Sequence, residues 1–284
     1  MTIRSIGHAA LICLLLASGP ATAQDADDWD YGEDPSRQTV IAAITFANFG
    51  VAVRCIDENL SVVLSGLPAA SGERTMRYRM GDGAETDSRW ISGRDSTAAF
   101  SIWPRAVGTE LSRGGRLSLD VPDGERRRRF AVDLPPSTAS VARVFRACGH
   151  ELPATGNNDA PAGDNLAGLI WIKVPEVSFP DRSNYGVGLA AINCTARANG
   201  RLRDCTIESE FPEGSGFGRA ATYGAHRSGQ VGLAEGSDGS MEGRKIAFVT
   251  RYSSYDEMLT PPPSRLPRRD EVYSPPPPPR DADK

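Results

Sequence analysis

Lysine is almost missing from this chain. Only Lys173, Lys245 and Lys284 stand among its 32 basic residues, so arginine carries nearly all the positive charge. The balance is slightly acidic, −4 over 284 residues, which lacks the basic footprint of a nucleic-acid binder. Histidine is scarce too. His8, His150 and His226 have no metal-ligand partner at helical or turn spacing. There is no G-x-S-x-G, H-E-x-x-H, P-loop or C-x-x-C pattern. The sequence therefore assigns no catalytic residue, no metal site and no cofactor. Apolar runs long enough to approach a membrane span are missing beyond the N-terminus, and 39% hydrophobic residues suit one or two folded cores.

What is there begins with an export signal. Arg4 opens residues 1–23, Leu11, Ile12 and Leu14–Leu16 form an apolar stretch, and Ala21-Thr22-Ala23 offers small residues for cleavage. The apolar run over residues 6–18 is shorter than the ~20 residues of a spanning helix. The reading is a periplasmic or otherwise exported protein. The rival reading anchors the chain to the inner membrane through residues 6–18. Cys13 leaves with the signal, so Cys55, Cys148, Cys194 and Cys205 remain, an even number suited to two disulfides in an exported chain. Three pairings are open at this point.

The sequence divides into blocks. Residues 24–38 form an acidic leader, with Asp25, Asp27, Asp28, Asp30, Glu33 and Asp34. Residues 39–150 have the texture of a mainly-β unit, sandwich- or barrel-like. Branched and aromatic runs at 39–46, 51–55 and 60–64 are followed by alternation at Met76, Tyr78 and Met80, at Leu117, Leu119 and Val121, and at Phe130, Val132 and Leu134. One helix closes this unit, capped by Ser137 or Thr138, with Val141, Val144, Phe145 and Cys148 on one face and Gly149 as its stop. Residues 151–168 read as a linker, 169–259 as a small α+β domain, and 260–284 as a Pro-rich disordered tail.

Asn199-Gly200 is the strongest turn signal. A two-residue type I′ turn places Ala198 opposite Arg201, and the same register places Cys194 opposite Cys205 and Ile192 opposite Ile207. This pairing of Cys194 with Cys205 leaves Cys55 for Cys148, which would tie the closing helix to a strand. A helix is expected from Gly218 to about Arg227, and a last strand over residues 244–252.

The second domain resembles the C-terminal domain of TonB-type energy transducers over about residues 170–252. The carriers are Trp171-Ile172-Lys173-Val174-Pro175, Cys194, Asn199-Gly200-Arg201-Leu202, Asp204-Cys205, Glu210, Pro212, Gly214 and Gly216-Phe217-Gly218-Arg219-Ala220-Ala221. The resemblance implies a small α+β fold and binding of a protein partner, such as an outer-membrane receptor, by strand addition. It maps the partner-binding edge onto Lys245, Ile246, Ala247, Phe248, Val249 and Thr250. In the family a proline-rich spacer precedes the domain; here the proline runs follow it. The first domain faintly resembles exported β-rich domains of the type VI secretion-associated VasI/TagO sort. The carriers are Arg54-Cys55, residues 60–64, Tyr78-Arg79, Gly115-Arg116-Leu117 and residues 130–148.

The expectation is a non-enzymatic envelope protein with a strand-pairing interaction domain, with no small-molecule cofactor and no nucleic-acid partner. Two alternatives stand beside it. Arg126, Arg127, Arg128 and Arg129, next to a hairpin turn, would form an anionic-polymer patch. A carboxylate pair would make the chain an envelope hydrolase. Gly214, Gly216 and Gly218 before a helix are read as a tight turn and not as a phosphate loop.

Overall fold

A computed structural model describes residues 29–137, 139–154, 160–180 and 185–253. The expected signal segment, Thr138 of the expected helix cap and the Pro-rich tail lie outside the described residues. In the first unit the strands are β1 (Asp30–Asp34), β2 (Thr39–Phe46), β3 (Phe49–Ile56), β4 (Asn59–Ser65), β5 (Ala70–Met80), β6 (Thr86–Ser96), β7 (Ala99–Ser101), β8 (Gly115–Asp123) and β9 (Arg126–Leu134). Two helices accompany them, α1 (Pro104–Ser112) and α2 (Ser140–Ala147). The second unit holds β10 (Leu169–Lys173), β11 (Val187–Ala196), β12 (Leu202–Phe211), α3 (Phe217–Ser228), β13 (Gln230–Leu233) and β14 (Lys245–Ser253). The fold is mainly β.

The first unit is one nine-stranded antiparallel sheet in the order β1-β2-β3-β4-β7-β6-β5-β8-β9. It curls, so that Phe49 of β3 and Phe130 of β9 bring their rings to 5.3 Å. Alternation explains the lining. Val51, Val53 and Cys55, then Met76 and Tyr78, then Leu117, Leu119 and Val121 all turn into one core. The α2 face of Val141, Val144, Phe145 and Cys148 is buried against it. Ser137 Oγ accepts the Val141 N–H at 3.0 Å, and Cys148 is bonded to Cys55.

Three expectations need correction. The acidic leader is structured in its second half: Asp30–Asp34 pairs with β2, and Trp29 beside it is buried, its indole donating to the Pro135 carbonyl at 3.0 Å. As the outermost strand of its sheet, β1 can leave Asp30 and Glu33 exposed and Asp34 half-exposed while its backbone pairs with β2. The unit also contains two helices instead of one. Helix α1 begins at Pro104, an N1 proline, but carries Gly108 mid-helix, which weakens its sequence signal. Gly108 has a packing reason: a Cβ there would lie 3.0 Å from the Phe145 ring. Third, the linker is not a plain spacer. Asn165 bridges β14, and Leu166 and Ala167 pack on the second core.

In the second unit β11 is central, between β12 and β14. Its residues are buried on both faces. Ala190, Ile192 and Cys194 join α3 in one core, and Leu189 and Ala191 join Ile91, Ile102 and Trp103 of the first unit in another. The second unit therefore packs on the first through the outer face of its three-stranded sheet. Phe100 and Phe211 meet across this seam at 5.2 Å.

The β11–β12 hairpin has the expected disulfide by a different route. Arg197 N–H donates to Arg201 O at 2.8 Å, so the turn spans Ala198–Gly200 instead of two residues. Gly200 takes φ +76°, and a Cβ there would lie 2.0 Å from the Val231 carbonyl oxygen. The longer turn shifts the register by one, to Thr195↔Arg203. An irregularity with Asp204 at φ +50° shifts it back, to Asn193↔Thr206. Cys194 and Cys205 are thus opposed after all, bonded with Cα atoms 4.1 Å apart.

Candidate functional site

Strand β14 lies at the edge of its sheet. Its even-numbered residues Ile246, Phe248 and Thr250 turn their backbone groups to β11, in pairs with Cys194, Ile192 and Ala190. Its odd-numbered residues turn theirs outward. Ala247 is already paired there: its N–H donates to Asn165 O at 2.7 Å, and its carbonyl accepts the Asn165 N–H at 2.8 Å. Among the described residues, Val249 and Arg251 have no backbone partner on this side. Of the six expected edge residues, only Lys245 and Val249 therefore face outward without a backbone partner, and Arg251 must be added. The expectation of a uniformly open edge is corrected at Ala247, because the chain's own segment fills that position.

A groove of about 430 Å³ runs beside this edge. Leu166, Trp171, Val174, Pro175, Val177 and Phe248 give it an apolar wall. Trp171 is held by an edge-on contact with Phe248, ring centroids 5.0 Å apart. Val174 is 63% exposed, a large aliphatic surface left in water at the groove mouth. Ile172 of β10 is also exposed, at 62%, with its side chain over Gly232 of β13.

Charged groups form the side nearest the first unit. Glu73 receives Arg89 Nη2 at 2.7 Å and Arg251 Nη2 at 2.8 Å. Arg89 also donates through Nη1 to Asp164 Oδ2 at 2.8 Å. Two carboxylates and two guanidiniums from β5, β6, the linker and β14 thus meet at one end of the groove. Burial pushes the Glu73 carboxyl up, and Arg89 pulls it back. Nothing in the composition marks this cluster. Glu73 and Arg89 meet across the paired strands β5 and β6, and the docking of the second unit adds Asp164 and Arg251 from far along the chain.

A second ionic group fastens the seam. The Glu208 side chain is fully buried; its carboxylate accepts Arg105 Nε at 2.7 Å, the Arg105 backbone N–H at 3.2 Å and Asn193 Nδ2 at 2.9 Å. Trp103, the N-cap of α1, provides no side-chain cap, so Glu208 of β12 caps that helix from the other unit. Glu210 does the same for α3, accepting the Gly218 N–H at 2.8 Å. A carboxylate therefore occupies the glycine-flanked helix start.

His150 lies beside Arg105 and Glu208. Burial lowers its pKa, Arg105 lowers it further and Glu208 opposes them. The folded protein thus binds its proton less readily than the unfolded chain does, and stability should fall as pH drops below about 6.5. Urea midpoints at pH 7.5 and 5.5 should differ less in His150→Gln than in the parent. An equal drop in both proteins would remove His150 from this role.

The basic hairpin is partly neutralised. Arg127 pairs with Asp120 at 3.2 Å and Arg128 with Asp123 at 2.9 Å, and Asp123↔Arg126 and Asp120↔Arg129 stand opposite in register. The four arginines are exposed on β9, but two carboxylates share their surface. Among the described residues no group of three His, Cys, Asp or Glu side chains could hold a metal ion, and no helix is long and apolar enough to cross a membrane.

No protein-family model, curated protein or solved structure matches this chain.

Proposed function

We propose that this chain is an exported cell-envelope protein, without enzymatic activity, that binds a partner protein by strand addition at the β14 edge. An outer-membrane receptor is the partner implied by the resemblance of residues 170–252 to TonB-type domains. One observation carries the reading: the backbone groups of Val249 and Arg251 face outward beside an apolar groove. Buried, such groups would cost free energy unless paired, and an incoming strand pairs them while covering Trp171, Val174 and Val177. The two disulfides fit an oxidising compartment. The ion pairs of Arg127 and Arg128 weaken the polymer-patch alternative.

Val249→Pro removes the outward N–H without touching the bonds to β11, which use the even-numbered residues. A photo-crosslinking side chain placed at Val174 should label an envelope protein in cells. Val249→Pro should reduce that adduct at least tenfold, as expected for loss of one central ladder bond and its neighbours (about 1.4 kcal/mol per tenfold). An adduct of undiminished yield would sink the proposal.

A further inference from the structure

Building on the strand-addition reading, we propose that residues 161–167 form a displaceable strap and that the partner strand runs antiparallel to β14. It would enter at Val249 and Arg251 and take Asn165's place at Ala247. The partner chemistry follows from the same register: apolar side chains opposite Phe248 and Thr250, and a carboxylate between them, opposite Val249.

The strap pairs with the edge at a single position, Asn165↔Ala247, in antiparallel sense. Continued in that register, Gly163 would face Val249 and Pro161 would face Arg251. Pro161 has no N–H to give the Arg251 carbonyl, so the strap's own sequence stops the ladder. The chain leaves the edge at Asp164. A regular strand would point that residue to the Phe248 side; instead its carboxylate reaches Arg89 at 2.8 Å. The strap is held by this ion pair, by the two bonds at Ala247, by Arg244 Nη1 donating to the Ala167 carbonyl at 3.0 Å, and by Leu166 and Ala167 on the second core; the Ala167 N–H on Asn165 Oδ1 stiffens it from within. Each hold is modest, and the ion pair is half exposed, so a better strand can displace it.

Cross-strand partners share a face of the sheet. Phe248 faces the core beneath the apolar groove, so the incoming residues opposite Phe248 and Thr250 meet Trp171, Val174 and Val177. Val249 packs on the first unit, on the face where Glu73, Arg89 and Arg251 meet. When Asp164 is drawn off, Arg89 Nη1 loses its carboxylate and the cluster is left with a surplus positive charge. An acidic residue opposite Val249 restores the balance; a basic one opposes it.

The test follows individual amides of the whole protein by hydrogen exchange in NMR, with two probes: a peptide alternating valine and aspartate, and one alternating valine and lysine. Phe248 and Thr250, bonded to β11, report that the sheet is intact. In P161V/G163V the strap gains a donor opposite Arg251 and a branched residue opposite Val249. A Cβ at Gly163 meets nothing within 4 Å, so the change fits. Exchange at Val249 and Arg251 should slow at least tenfold, and the aspartate probe should no longer bind. Asn165→Pro removes the donor to the Ala247 carbonyl; the probe should bind about tenfold tighter than to the parent, because less of the binding-competent state is withheld. In the parent the aspartate probe should bind about tenfold tighter than the lysine probe.

Unchanged exchange at Val249 in P161V/G163V, or no gain in Asn165→Pro, would overturn the strap while leaving strand addition standing, provided the probe protects Val249. Equal binding of the two probes would overturn the acidic partner. If neither probe protects Val249 or Arg251 in any of the three proteins, strand addition itself fails, and the strap proposal fails with it.

Discussion

Replacing Glu208 with alanine should destabilise the protein by about 3 kcal/mol, read as a fall in the urea midpoint. The carboxylate lies fully buried between the two units and accepts three donors, from the Arg105 side chain, the Arg105 backbone and Asn193. Its removal leaves a guanidinium, a helix-start N–H and an amide without their partner. A guanidinium 28% exposed recovers some hydration, which places the expected loss at the low end for a broken buried ion pair. Glu208→Gln retains an acceptor for the α1 start and should cost about half as much. The double variant Glu208→Ala with Arg105→Ala should cost less than the sum of the two single changes, because the pair is coupled. A loss below about 1 kcal/mol for Glu208→Ala would show that the seam does not depend on this group.

Cys55→Ala with Cys148→Ala should have the larger effect. The bridge joins β3 to the end of α2 across 93 positions of sequence, and both cysteines are buried in the first core. Opening so long a loop frees the unfolded chain by about 4–5 kcal/mol in the chain-entropy model. That corresponds to a fall in Tm of about 10–15 °C for a protein of this size. The Cys194–Cys205 bridge spans only 11 positions, and its removal should cost about 3 kcal/mol. The ranking is the test: a larger loss from the short bridge would mean that local strand geometry, and not loop closure, sets the contribution of these disulfides.

Much of this architecture was legible locally. Alternation marks β8 and β9, the apolar spacing of Val141, Val144, Phe145 and Cys148 marks α2, and one hairpin register paired all four cysteines as the structure pairs them. That register survived an error in the turn, because the bulge at Asp204 compensates for the extra turn residue. Helix α1 was not legible, since Gly108 weakens its propensity and its N-terminal cap comes from Glu208, over 100 residues away in the chain. β1 was hidden by its acidity, because backbone pairing at a sheet edge leaves side chains in water.

The site divides in the same way. From the sequence alone came β14 as the last strand, its apolar residues and the resemblance that singles it out. Side-chain period and turn chemistry are local properties, and a short window of residues encodes them. Tertiary structure alone decided which of its backbone groups remain unpaired, that Asn165 closes Ala247, and that Glu73, Arg89, Asp164 and Arg251 converge at the groove's end. These depend on how two units and a linker dock. Docking brings the linker and β14 within hydrogen-bonding distance of the β5–β6 pair, and no local pattern records such a meeting.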